Sequence, residues 1–288
     1  PSLAHSRRRV LQTPYAPGLR LDLRGRIVAP GFVNVHTHGG NGINFYADAT
    51  ERSSIAENLG TYARWAAQNG VTGFLCSIAA PKAEALRDLI EAYVAAFESE
   101  SPGAEPLGLH LEGPFLSREK KGAFDPDWLR EAAIEEAQSA LEAGRGWVRQ
   151  MTLAADVPGA ADVAGYLRGQ GVVVSLGHTN ADFETASAAL RGNFTHVTHT
   201  FNAQKGFHHR DPGVFGAILA SDDVTAELIA DTVHVHPGAM KLLIRSLGTD
   251  RVVLITDANA AAGLPDGTYE IGGRKRIVKD GRSVLEDG

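Results

Sequence analysis

The strongest constraint on this chain is a repeat. Eight short apolar runs alternate with amphipathic segments at a spacing of about 30 residues. The runs are FVNVHTH (32–38), VTGFLCSIA (71–79), PLGLHLEG (106–113), WVRQMTLA (147–154), GVVVSLGH (171–178), FTHVTH (194–199), VTAELIAD (224–231) and RVVLITDA (251–258). Helical segments lie between them. The clearest are 82–97 and 51–69, where Ile55, Leu59, Tyr62 and Trp65 recur on one side and Gly70 stops the helix. Further helices are expected from Asp127 to about Ala143, near 159–169, and at 181–191, 214–221 and 237–247. Such alternation specifies a parallel sheet, because each crossover helix returns the chain to the same end. Eight units close that sheet into a (β/α)8 TIM-like barrel. The 288 residues and 43% hydrophobic content suit one large α/β domain.

The two ends break the pattern. Residues 1–30 are polar and Arg-rich before alternating in LRLDLRGRIVAPG, and residues 263–288 form short alternating runs with Gly turns. Both read as edge-strand and hairpin material outside the barrel. Arg7, Arg8 and Arg9, with His5, read as a solvated arm. The net charge of -6 gives no basic footprint for nucleic acid. No apolar run reaches the roughly 18–20 residues that span a bilayer. The single cysteine, Cys76, excludes a disulfide framework and points to a reducing compartment, the cytoplasm. It sits within an apolar strand and is expected to be inert.

The chemistry collects at the ends of the apolar runs. His36 and His38 close the first, Glu112 the third, His178 the fifth, His199 the sixth and Asp257 the eighth. In a (β/α)8 barrel those ends open on one face, where active sites are built. Singly, each residue has a plain alternative: a strand-end His is commonly a hydrogen-bonded core or turn residue, and Glu112 or Asp257 could cap a loop. Their common placement favours a site. His36 and His38 are two apart and point to the same side of an extended chain. Three or more imidazoles with a carboxylate suit zinc, iron or cobalt better than magnesium or calcium. His196 lies three before His199, so it is expected to face the opposite side and be structural. His110 shares a face with Glu112 but lies deeper, as a packed or supporting residue.

The stretches PGFVNVHTHGG, LGLHLEGPFL, KKGAFDP, VVVSLGHTNA, THVTHTFNA, HHRDPG, IADTVHVHP and VLITDA, in that order, resemble the N-acetylglucosamine-6-phosphate deacetylases of the amidohydrolase superfamily. The resemblance covers nearly the whole sequence. It implies Glu112, His178 and His199 as primary metal ligands. It also implies His36 and His38 as the pair that holds a second metal, with Glu112 bridging. Asp257 resembles the catalytic acid/base, and His234 the histidine that contacts substrate near the scissile amide. Asn202, Ala203 and Arg210 match positions that bind the sugar phosphate. One or two divalent ions, zinc ahead of iron or cobalt, and a homodimer are implied. So is a small β-sandwich built from 1–30 and 263–288 around a barrel at 31–262. Because the chain ends within the sandwich strands, that layer is expected to be incomplete, with unpaired edges. Three departures stand out: Phe124 where the family usually has a sugar-contacting histidine, Gln204 in place of a methionine, and Asn34 in place of an aspartate.

Overall fold

A computed structural model describes residues 29–46, 54–271 and 274–285, with Gly25 and Ile27. Each of the eight runs contributes one strand to a single parallel sheet. In chain order these are β1 (Phe32–Asn34), β4 (Val71–Ile78), β5 (Glu105–Glu112), β6 (Val148–Leu153), β7 (Val173–Leu176), β8 (His196–Val197), β9 (Thr225–Ile229) and β10 (Val252–Ile255). Neighbours in sequence are neighbours in the sheet, from β1 to β10. A two-stranded hairpin, β2 (Gly39–Gly40) with β3 (Ile43–Asn44), sits after β1. The helices are α1 (Ile55–Gln68), α2 (Ala83–Phe97), α3 (Ile134–Gly144), α4 (Ala160–Gly169), α5 (Phe183–Arg191), α6 (Gly213–Leu219) and α7 (Pro237–Leu247).

The edge strands meet just beyond their regular parts. The Asp257 amide donates to the His36 carbonyl at 3.0 Å, and the His38 amide donates to the Ala258 carbonyl at 2.7 Å. Below them Asn34 Nδ2 donates to Thr256 Oγ1 at 2.7 Å, while Asn34 Oδ1 accepts from the Thr256 amide at 3.2 Å. An ionised aspartate at position 34 could not donate the first of these bonds. This seam sets the ends of the first and eighth units side by side.

The helices bury the faces that their spacing assigns. In α1, Ile55, Leu59 and Tyr62 are buried with Ala63 and Ala66, while Trp65 is half-buried. Each fully buried aliphatic side chain contributes about 1.5–3 kcal/mol. The barrel interior is unusually polar: Ser77, His110, Gln150, Thr152, Ser175, Thr198 and Glu227 are all buried. Ser77, His110, Thr152, Thr198 and Ser175 form one hydrogen-bonded chain, and Gln150 pairs with Glu227. Ser77 Oγ meets His110 Nδ1 at 2.9 Å, His110 Nε2 meets Thr152 Oγ1 at 2.8 Å, and Thr152 Oγ1 meets Thr198 Oγ1 at 2.8 Å. The expectation of His110 as a supporting residue holds. Burial also pushes the Cys76 thiol up, away from thiolate reactivity.

Two local expectations change. The helix expected from Asp127 begins only at Ile134. Pro126–Trp128 forms a single 3-10 turn, and Leu129 continues extended. Leu129 is buried in a small apolar cluster with Leu116 and Phe124. Arg130 Nη1 donates to the Trp128 and Pro81 carbonyls, which holds the chain straight where a helix would have turned it. His196 does not turn away from the site, as described below.

Beyond the barrel, β11 (Gly267–Ile271), β12 (Arg274–Lys279) and β13 (Arg282–Leu285) form an antiparallel sheet with β12 in the middle. These are the hairpin strands that alternation and Gly turns indicated. The expected sandwich partner at 1–30, with His5 and Arg7–Arg9, lies almost entirely outside the described residues. Among the described residues no helix is long and apolar enough to cross a membrane.

Candidate metal centre

The six strand-end residues converge as two touching triads: His36, His38 and Asp257, and Glu112, His178 and His199. Glu112 is the hub. Its Oε1 lies 3.3 Å from His36 Nε2, 3.2 Å from His178 Nε2 and 3.2 Å from His199 Nε2, and its Oε2 lies 3.0 Å from His38 Nε2. Asp257 Oδ1 stands 3.4 Å from His36 Nε2 and 3.2 Å from His38 Nε2. The two Nε2 atoms of the first pair are 3.3 Å apart, and those of His178 and His199 are 3.0 Å apart. Ligands at about 2.0–2.1 Å from a tetrahedral zinc stand about 3.3 Å from one another. The donor set therefore fits a divalent metal in both chemistry and spacing.

The backbone is bent to make this possible. His178, His199 and Asp257 all have positive φ, at 46°, 26° and 48°. Left-handed backbone is uncommon for such residues and collects at functional sites. In each case it turns the side chain off the end of a strand and over the barrel mouth. Gly122 makes room for one of them: a Cβ there would stand 2.9 Å from His178 Cε1.

The tautomers are fixed from outside the cluster. His178 Nδ1 donates to the Lys120 carbonyl at 2.8 Å, His199 Nδ1 to the Asn202 carbonyl at 3.1 Å and His38 Nδ1 to the Ser77 carbonyl at 3.0 Å. His36 Nδ1 donates to Glu227 Oε2 at 2.9 Å. Carbonyls and carboxylates only accept, so every Nδ1 carries the proton. All four Nε2 atoms then face the centre, which needs positive charge between them, either protons or a cation.

Electrostatics follow from that crowding. Burial pushes His36 down, but the Glu227, Asp257 and Glu112 carboxylates outweigh it and hold the imidazole well above its usual value. Burial likewise opposes His38, which Glu112 and Asp257 push up to about 9. Burial raises Glu112, yet His36 and His38 and hydrogen bonds from His178 and His199 draw it well below the carboxylate range. Asp257 is lowered by His36 and His38 against the same burial. His110, whose ring meets that of His36 edge-on at 4.5 Å, is pushed well down by burial and by His36, and stays neutral.

Glu227 was not singled out from the sequence. Fully buried, it accepts from His36 Nδ1, from the His199 amide at 2.9 Å, from Gln150 Nε2 at 3.0 Å and from His196 Nε2 at 3.1 Å. The signal was there: one acid in the otherwise apolar run AELIA. His196 thus faces the interior rather than the far side. Parity failed because β8 ends at Val197 and the chain twists through His199 at φ 26°.

The remaining expected residues lie around this centre. Asn202 and Ala203 follow His199 in a tight turn, with Ala203 at φ 48°. Arg210 is exposed, and its Nη1 meets His209 Nε2 at 2.8 Å. Its neighbour Asp211 pairs with Lys205 at 2.7 Å. His234 is exposed and donates from Nδ1 to Asp231 Oδ2 at 2.6 Å, outside the six-residue cluster. Phe124 is buried and packs edge-on against His178, with ring centroids 5.3 Å apart. Gln204 Nε2 donates to the Thr198 carbonyl at 2.9 Å.

Comparison with known proteins bears on the same centre. The profile of the amidohydrolase family matches residues 27–278. The chain is 37% identical over 265 residues to the N-acetylglucosamine-6-phosphate deacetylase of Bacillus subtilis, covering 91% of this chain and 65% of that protein. It is 34% identical over 249 residues to the N-acetylgalactosamine-6-phosphate deacetylase of Escherichia coli O157:H7, covering 86% and 64%. A mutant N-acetyl-D-glucosamine-6-phosphate deacetylase of Mycobacterium smegmatis, solved with N-acetyl-D-glucosamine-6-phosphate, superposes with a TM-score of 0.84 at 31% identity, over 95% of this chain and 70% of that one. The chain spans about two thirds of the length of these relatives.

Proposed function

The chain belongs to the amidohydrolase family, and from that premise we propose that it hydrolyses the N-acetyl amide of N-acetylglucosamine 6-phosphate, releasing acetate and glucosamine 6-phosphate in amino-sugar breakdown. The observation that carries this reading is the convergence of four Nε2 atoms on Glu112, each with its Nδ1 proton tied down elsewhere. We assign zinc ahead of iron or cobalt on the imidazole-rich donor set, with room for one or two ions. Glu112, His178 and His199 would hold the first, and His36, His38 and Asp257 the second, with Glu112 shared.

An amide resists attack by neutral water. A bound divalent metal supplies Lewis acidity, lowering the pKa of water and polarising the carbonyl. The chain's own residues do the rest. Asp257 is held ionised by His36 and His38 and is partly open to the cleft, so it can take a proton from the attacking water and return it to the departing amine. His234 is oriented by donation from Nδ1 to Asp231, and as an imidazolium it would offer its Nε2–H to the carbonyl oxygen of the substrate. Arg210 offers an exposed guanidinium for the 6-phosphate, and Asn202 and Ala203 occupy the other positions that the resemblance assigns to the sugar phosphate.

The sugar is the open half of this reading. Phe124 lies against His178 and a phenyl ring donates no hydrogen bond to a hydroxyl. A different N-acetylated amino sugar is therefore the second reading, and one relative is named for the galactosamine isomer. A homodimer, a cytoplasmic location consistent with the buried thiol of Cys76, and the division into 1–30, 31–262 and 263–288 belong to the same proposal.

The test is acetate release from N-acetylglucosamine 6-phosphate, N-acetylgalactosamine 6-phosphate and N-acetylglucosamine, on metal-free protein and after adding zinc. Zinc-dependent release from the glucosamine phosphate, well above the other two, is expected. Zinc uptake without release from any of them would refute the assignment.

A further inference from the structure

Three of the four candidate histidine ligands have their Nδ1 protons held by backbone carbonyls, at Lys120, Asn202 and Ser77. Those acceptors come with the fold. His36 alone depends on a side chain, Glu227. We propose that Glu227 is a positioning residue that fixes His36 with its Nε2 lone pair aimed into the centre and mechanically joins the two metal-binding triads.

The geometry behind this is complete on every side. Glu227 Oε2 accepts from His36 Nδ1 at 2.9 Å and from the His199 amide at 2.9 Å, so one oxygen touches a ligand from each triad. Oε1 accepts from Gln150 Nε2 at 3.0 Å and from His196 Nε2 at 3.1 Å. His196 is in turn fixed by Thr225 Oγ1, 2.6 Å from its Nδ1. The carboxylate is wholly buried. A buried carboxylate is unfavourable unless opposite charge compensates it. Among the described residues its ion-pair partners are His36 and His196, and neither is a lysine or an arginine. Compensation therefore comes through the imidazoles of His36 and His196, and the ring of His36 links the carboxylate to the centre. That site needs Glu227 to keep His36 in one tautomer.

This inference rests on the metal reading above but not on the substrate, and it is tested without substrate. Glu227→Gln keeps the volume but removes the charge and leaves one acceptor oxygen for two pairs of donors, so the His36–His199 pair must compete with the Gln150–His196 pair for it. Zinc affinity would be measured by competing metal-free protein against a chromophoric chelator. The His36 tautomer would be read from long-range 1H–15N imidazole spectra, with its signals identified by their loss in His36→Asn. Weakening of zinc by about 10–100-fold is expected in Glu227→Gln, with His36 no longer a single Nδ1–H form. Wild-type zinc affinity together with an unchanged Nδ1–H signal would overturn the proposal. Should the variant not fold, the wild-type spectrum decides. Zinc-loaded wild type must show His36 as one Nδ1–H tautomer, and an Nε2–H or exchanging ring overturns the assignment. A failure of the deacetylase reading would show instead in the acetate assay, with zinc binding intact.

Discussion

Zinc should compete with protons at this centre, and the size of that competition follows from His38. Its imidazole is pushed up to about 9 by Glu112 and Asp257, 3.0 and 3.2 Å away, against the burial that lowers it. Nδ1 is already protonated toward Ser77, so the extra proton sits on Nε2, the atom that would bind the metal. A raised pKa means the proton is bound below about 9 and lost above it, so zinc must displace it at neutral pH. At pH 7 that is a gap of about two units, or about 2.7 kcal/mol at 1.36 kcal/mol per unit. Zinc affinity at the site that includes His38 should then rise about 50-fold from pH 7 to pH 9 and only about twofold more above it. His36 and His199 are also raised, which makes this a lower bound. Glu112 and Asp257 are lowered and stay ionised throughout the window, so they contribute no slope. Calorimetric zinc titrations at several pH values, in buffers of different ionisation enthalpy, would report both affinity and protons released. At least one proton per zinc at pH 7 is expected. Affinity flat between pH 7 and 9, with no proton released, would refute the placement of these carboxylates around His38.

Asp257→Asn should fold and keep zinc at Glu112, His178 and His199 but lose turnover by about 10²–10⁴-fold, the usual contribution of a general base; near-normal kcat would remove Asp257 from that role. Arg210→Ala should raise KM for a phosphorylated substrate and leave that for the unphosphorylated sugar unchanged, and equal effects on both would argue against a phosphate contact. Gly122→Ala places a Cβ 2.9 Å from His178 Cε1 at φ 57°. It should cost about 1–2 kcal/mol and weaken zinc binding, as read by thermal melting and chelator competition, and wild-type values in both would show that the loop yields easily.

Much of this site could be read along the chain because a barrel converts sequence position into place. A residue at the C-terminal end of any strand arrives at the same mouth, so His36, His38, Glu112, His178, His199 and Asp257 could be grouped without knowing a single distance. Strand parity worked for His36 and His38, whose Nε2 atoms stand 3.3 Å apart. It failed for His196, because parity assumes continuous strand and β8 is only two residues long.

Sequence by itself determined the barrel and the identity of the candidate ligands, since both rest on local periodicity: hydrophobic alternation for the strands, amphipathic spacing for the helices, and punctuation at the strand ends. Tertiary structure alone decided how those ligands are held. The Nδ1 partners of His178, His199 and His38 are carbonyls of Lys120, Asn202 and Ser77, and a carbonyl carries no mark of its role in the residue that bears it. The closing seam between Asn34–His38 and Thr256–Ala258 pairs segments more than 200 residues apart. Glu227 was visible as a lone acid in an apolar strand, but its four partners come from β6, from β8 and from the segments just beyond β1 and β8. Such long-range hydrogen bonds depend on which backbone and side-chain atoms the closed barrel brings together, and no local pattern encodes them.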